Sequence, residues 1–227
     1  MSNGAILVPL LVPAAILFLI GYSFYRHRRR LRFIAQYQWP AGLTAKLQCA
    51  HPQLRTADVA DVGAGLKQFF RAYLRSGRRP VTMPSQIVDE LWHEFILSTR
   101  DYQRFCVRAF GRFLHHTPAA TLAKGQKAGN EGLRRVWWQV CKEEGIDPRN
   151  AGRLPLLFSL DERLAIPGGY RYAPDCRRLR HGSGEAGIGV TYCASDFTSP
   201  SFDGGTAGLG AGDGGGDGEG GGGCGGD

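Results

Sequence analysis

Between Ser2 and Tyr25 the chain carries no charged side chain, and the next seven residues hold five arginines: Arg26, Arg28, Arg29, Arg30 and Arg32. Read as one helix, Gly4 to Tyr25 would be about 33 Å long at 1.5 Å per residue. A bilayer hydrocarbon core is about 30 Å thick. Pro9 and Pro13 would disrupt a helix in water but are tolerated in a membrane. Tyr22 and Tyr25 sit where amphipathic rings favour the interface. A cleaved signal peptide needs its positive charge before the apolar run, and here the charge comes after it. The expectation is a single-pass transmembrane helix: residues 1–32 form a membrane anchor with a juxtamembrane Arg cluster, contacting the membrane through residues 4–25. The positive-inside rule then puts the N-terminus outside and the domain in the cytoplasm, at the cell membrane, with anionic lipid near Arg26–Arg32.

The rest of the charge divides sharply. Residues 1–180 hold all 28 Lys and Arg and 13 acids, whereas residues 181–227 hold 7 acids and no Lys or Arg. Of the 33 glycines, 19 fall in those last 47 positions. They show no period of three, which excludes a collagen-like chain. A nucleic-acid partner is not expected, because the basic residues cluster beside the apolar run instead of interleaving with aromatics on a folded surface. From Asp203 to Asp227, 15 of 25 residues are Gly and 5 are acidic. Such a segment has too little apolar surface to offset its ordering entropy, so 181–227 reads as a Gly-rich, acidic, disordered tail. Residues 33–180 remain as one domain.

That domain reads as mainly α. Val59, Val62, Leu66, Phe69, Phe70, Tyr73 and Leu74 recur at helical steps within Thr56–Gly77. Ser85 can cap a helix burying Ile87, Val88, Leu91, Trp92, Phe95 and Ile96. A break near Ser98-Thr99 restarts a helix with Tyr102, Phe105, Cys106, Ala109 and Phe110 inward. Asn130 can cap another running to Glu144. Leu154–Phe158 is an apolar run of ambiguous type, and Asp161–Leu164 reads as one helical turn. No sustained alternation marks a large sheet. The six cysteines are widely spaced with no CxxC pair, which suits reduced thiols better than a disulfide framework or a zinc ribbon.

The candidate chemistry lies in Val88–Pro118. Asp89 and His93 are four apart and share a helix flank beside the apolar stripe. His115 and His116 follow the next helix and can fold back toward them. A carboxylate with imidazoles is a ligand set for a divalent metal, so the metal-ligand candidates are Asp89, His93, His115 and His116. Cys106 is a further candidate, although the centre of an apolar face suits a buried structural thiol. The alternative is a hydrogen-bonded pair in which Asp89 orients the His93 ring. HExxH, GxSxG, P-loop and GxGxxG signatures are absent, so no catalytic set can be assembled.

The pattern Val88-Asp89-x-x-Trp92-His93-x-Phe95-Ile96-Leu97-x-Thr99-x-x-Tyr102-x-x-Phe105-Cys106, followed by Gly111-x-Phe113-x-His115-His116-x-Pro118, resembles the bacterial members of the glycine-rich-domain protein family. Leu154–Asp161, Tyr172-x-x-x-Cys176 and the Gly-rich end are also similar. The resemblance implies a helical domain and no established reaction. Where some relatives have Trp-His-x-His, the second His is Phe95 here, which shifts a metal site toward His115 and His116. Two functions are therefore expected: a membrane-anchored interaction or scaffold domain of unknown protein partner, or a metal-binding domain open to metal-dependent catalysis.

Overall fold

The computed structural model describes residues 7–116, 126–174, 191–193 and 197. Its helices are α1 (Leu7–Gln36), α2 (Ala41–Ala50), α3 (Thr56–Arg75), α4 (Gln86–Leu97), α5 (Thr99–Phe110), α6 (Gln126–Glu143) and α7 (Leu156–Arg163). Strands β1 (Arg171–Ala173) and β2 (Thr191–Cys193) pair in parallel, Tyr172 opposite Tyr192. The architecture is mainly helical, as the 3.6-residue periodicity demands.

Helix α3 is the axis of the domain. Val62, Leu66, Phe69 and Phe70 have no exposed surface, and α1, α2, α4, α6 and α7 all pack on it. Its buried residues cover more than half of its circumference, and Ala60, Ala64, Lys67 and Arg71 form the face left toward the surface. Gly65 permits a close approach. A Cβ there would lie 2.6 Å from Leu160 Cδ1 and 3.2 Å from Val88 Cγ2, so the glycine lets α7 and α4 sit against the α3 backbone. Arg71 and Arg75 at the far end both pair with Glu143 of α6.

The transmembrane helix expected over residues 4–25 is overturned, and with it the membrane anchor, the single-pass topology and the cell-membrane location. Among the described residues no helix is long and apolar enough to cross a membrane. No break falls at residue 32. The helix continues through the arginines to Gln36 and becomes part of the domain: Ile34 is fully buried, and Phe33 packs on Phe105 with ring centroids 5.7 Å apart.

Other sequence expectations shift by smaller amounts. Helix α2 was not expected. Helix α6 begins at Gln126, before Asn130. The ambiguous run at 154–158 is the start of α7, which continues to Arg163. Cys193 is disulfide-bonded, against the expectation of reduced thiols, while Cys49, Cys106 and Cys141 are free. Within 181–227, β2 and Phe197 are described. Phe197 is buried against Trp137 and Phe158, and its carbonyl accepts from Arg134 Nε and Trp138 Nε1. The remainder of that tail lies outside the described residues.

Two helix N-termini are satisfied by side chains from other elements. Asp161 of α7 is buried, and its carboxylate accepts from Ser85 Oγ (2.6 Å), Gln86 N (2.7 Å), Ile87 N (3.3 Å) and Tyr170 N (2.9 Å). Ser85 is itself the N-cap of α4, as expected, accepting from Val88 N. Glu144, just beyond α6, accepts from Leu156 N at the start of α7 (2.7 Å), while Gln68 of α3 accepts from Leu157 N and donates to Glu144. Without these acceptors the first N–H groups of α4 and α7 would be buried unpaired.

Replacing Asp161 by Ala should therefore destabilise the fold by about 2–3 kcal/mol, as several buried donors lose their acceptor; denaturant unfolding reads this directly. A second test uses Glu144. Burial pushes its carboxyl pKa up, but hydrogen bonds from Gln68, Leu156 and Arg153 outweigh this and hold it below the ordinary 4.5. A depressed carboxyl contributes stability above its unfolded pKa and loses it as pH falls through the folded one. Acidification below about pH 4.5 should thus cost the wild type more stability than Glu144→Gln, measured by unfolding midpoints across pH.

Candidate metal centre

The first turns of α4 carry Asp89 and the next turn His93, so both side chains leave the same flank of the helix. His93 Nδ1 donates to the Asp89 backbone carbonyl at 2.9 Å and lies 3.4 Å from its Oδ2. That contact places the Nδ1 proton and leaves Nε2 as the open lone pair. Glu90 and Glu94, on the neighbouring flank, are engaged by α2: Glu90 meets His51 at 2.6 Å and Glu94 meets Lys46 at 3.1 Å. Asp89 is left facing the segment after α5.

That segment is held by a relay of buried polar groups. Gly111 ends α5 in the left-handed conformation (φ 74°), which turns the chain back toward α4. Trp92 Nε1 donates to Tyr102 Oη at 3.1 Å, and Tyr102 Oη donates to the Leu114 carbonyl at 2.5 Å. Burial pushes the Tyr102 hydroxyl pKa up, so it stays a donor. Leu114 is buried, and two residues on His116 reaches Asp89, its Nε2 donating to Oδ1 at 3.0 Å. The His116 ring packs edge-on against Trp92 (4.6 Å) and lies 4.2 Å from the His93 ring.

The structure thus brings together three of the four expected residues. Asp89, His93 and His116 each offer a ligand atom, and these atoms lie within 4.8 Å of one another. In a tetrahedral zinc site two nitrogens, each about 2.1 Å from the metal, lie about 3.4 Å apart. Holding an ion would require the set to close by about an ångström, a movement that the His93 side chain, 52% exposed, can supply. His116, 14% exposed, is the fixed member. His115 does not join them; it is exposed, with its ring 4.8 Å from that of Phe113. Successive residues of an extended segment point to opposite sides, so only one of the two histidines can face α4. Cys106 is fully buried and its thiol pKa is raised, chiefly by that burial, which makes it a packing residue beside Tyr102. Sequence reasoning missed the Trp92–Tyr102–Leu114 relay. The signal was present in the ten-residue spacing of two aromatics with polar handles, one on each helix of the hairpin.

The family model described as UCP032817-like matches residues 29–197. The chain belongs to the UCP032817-like family. The match begins inside α1, takes in the whole constellation, and ends at the buried Phe197. No curated protein and no solved structure matches the chain.

Tyr102→Phe keeps the ring in the core but removes the donor to Leu114. The 113–116 segment should lose its tether, so His116 should show lower protection and a lower affinity for any ion held at this site. Stability should fall by about 1–2 kcal/mol, for one lost buried hydrogen bond and one unpaired Trp92 partner. Hydrogen exchange of the 111–116 amides beside thermal unfolding measures both effects; unchanged exchange would show that the segment is held by other contacts.

Proposed function

We propose that this domain binds one divalent metal ion through Asp89, His93 and His116, with coordination positions left for water or a ligand. The observation that supports it is the convergence of a carboxylate and two imidazoles from separate elements at one partly open surface point. Two histidines and one carboxylate suit zinc, and also the open-sided sites of non-haem iron. The tethered His116 would hold the ion against the domain, and Asp89 would neutralise its charge. The solvent-facing position of His93 would leave the outer positions accessible, the arrangement a metal needs to activate water or polarise a carbonyl. Kinship with the bacterial glycine-rich-domain proteins belongs to the same proposal. It rests on the Trp92-His93 segment and the Phe113–His116 segment, and it adds no reaction.

An interaction role is the second reading, favoured by one observation. The outer face of α1 exposes large apolar side chains, Leu17 at 70% and Phe18 at 72% among them, more contiguous apolar surface than an isolated helix usually leaves uncovered.

The metal reading is tested by titrating the metal-stripped chain with zinc, iron(II) and manganese under calorimetry. One ion per chain is expected, with affinity weakening as pH is lowered because protons compete for the imidazole nitrogens. At one hundred times its dissociation constant the ion should stabilise the fold by about 2.7 kcal/mol. His116→Ala and Asp89→Ala should each lower affinity at least a hundredfold, while His115→Ala should leave it unchanged. Absence of stoichiometric binding by all three ions, or full binding by His116→Ala, would overturn the proposal and leave a hydrogen-bonded Asp–His cluster.

A further inference from the structure

Helices α1 and α5 pack together through Phe33 and Phe105, and one turn before that contact they part to form a groove of about 410 Å3. Its walls carry Arg26, Arg29 and Arg30 from α1 and Arg108 from α5, with Tyr22 and Tyr25 at the open end. None of these four arginines forms an ion pair with a described carboxylate. The sequence explains why: no Asp or Glu precedes Asp58, so α1 and α2 have no acid of their own. The single acid of α5, Asp101, is taken by Arg104.

The guanidinium groups are also oriented. Arg108 lies over the Phe33 ring at 4.9 Å and Arg26 over the Tyr22 ring at 5.6 Å. Stacking occupies the flat face of a guanidinium and leaves its N–H edge for an acceptor. The crowding registers in neighbouring groups. Burial first, then the charges of Arg26 and Arg78, lower the Arg30 pKa. Burial, then Arg75, Arg30 and Arg78, lower that of His27. Among the described residues no carboxylate balances these cations, and an anion bound in the groove would do so.

We propose that the α1–α5 groove binds a phosphate-bearing anion, with Arg26, Arg29, Arg30 and Arg108 donating to its oxygens. Four cations facing one cavity match a ligand of multiple negative charge better than a single carboxylate, and planar guanidinium forks suit phosphate oxygens. The volume accommodates a diphosphate group. The phosphate can come from a soluble molecule or from a lipid headgroup, and the chemistry at the arginines is the same. This site is separate from Asp89, His93 and His116, on different elements.

The test uses the full chain with two probes: inorganic pyrophosphate by calorimetry, and phosphatidylcholine vesicles with and without phosphatidylserine by co-sedimentation. Arg29→Ala and Arg108→Ala are compared with Arg149→Ala, on the loop after α6, as the control, with circular dichroism and thermal unfolding confirming that each variant is folded. Saturable pyrophosphate binding, weakened about tenfold by each groove variant and unchanged by the control, supports a soluble source. Binding only to phosphatidylserine vesicles, with the same tenfold loss in Arg108→Ala, supports a headgroup. Failure of the folded wild type to bind either probe, or binding that Arg29→Ala and Arg108→Ala leave intact, overturns the proposal.

Discussion

The buried carboxylate of Asp161 is the contact on which the candidate site depends. It sits on α7, accepts four hydrogen bonds, and three of them come from Ser85, Gln86 and Ile87 at the start of α4. Asp89 lies one turn further along that helix and His93 two. The position and direction of their flank are therefore fixed by a residue 74 to 76 positions along the chain from the helix start that it grips. The logic repeats one layer back, where α7 is started by Glu144 and Gln68. Each helix in this chain of contacts borrows its N-terminal acceptors from the element before it in space. A buried unpaired N–H costs about 1–3 kcal/mol, so these polar contacts define a unique arrangement where the apolar core alone would allow helices to slide.

The apolar core supplies the complementary part. Phe70, Trp92, Phe95, Phe105 and Phe110 meet in edge-on and tilted pairs with centroids 5.0–5.9 Å apart. Such rings resist rearrangement because each edge faces a neighbour's face. Trp92 belongs to this cluster and also begins the relay to Tyr102 and Leu114. One face of the indole packs in the core while its N–H points toward the segment that carries His116. The candidate site is thus an outgrowth of the core.

Much of this was legible in the sequence, and the parts that were not have physical causes. Helices α3, α4 and α5 announce themselves because their buried faces repeat at helical spacing and Ser85 marks the start of α4. The convergence of Asp89, His93 and a later histidine was legible for the same reason: two short helices with facing apolar stripes must fold into a hairpin. Which of His115 and His116 turns inward was not legible, because it depends on where Tyr102 grips the backbone. Helix α2 escaped because its buried residues, Leu43 and Leu47, are too few to set a period. The start of α1 misled, because its uncharged composition fits a membrane span, whereas its far end, Phe33 and Ile34, is bound into the domain. Phe197 lay inside a region whose average composition predicts disorder, and averages do not register one aromatic side chain filling a gap beside Trp137.

Asp89 and His116 would meet the ordinary description of an ion pair if they stood alone. The difference lies in how the three groups are supported. His116 is fixed by its own packing on Trp92 and by the relay two residues earlier, and Asp89 by the capped start of α4. His93 is half exposed and restrained only through Asp89. In a purely structural cluster the third, solvent-facing imidazole, 4.2 Å from the second, contributes little, because its contacts with Asp89 lie at an exposed position. A metal ion changes that balance. A bound ion would replace any repulsion between the rings by two attractive bonds, and the half-exposed His93 could move to meet it. Under the proposed metal reading, two fixed side chains and one adjustable one at the rim of a packed core would admit an ion from solvent and still keep one side of it open.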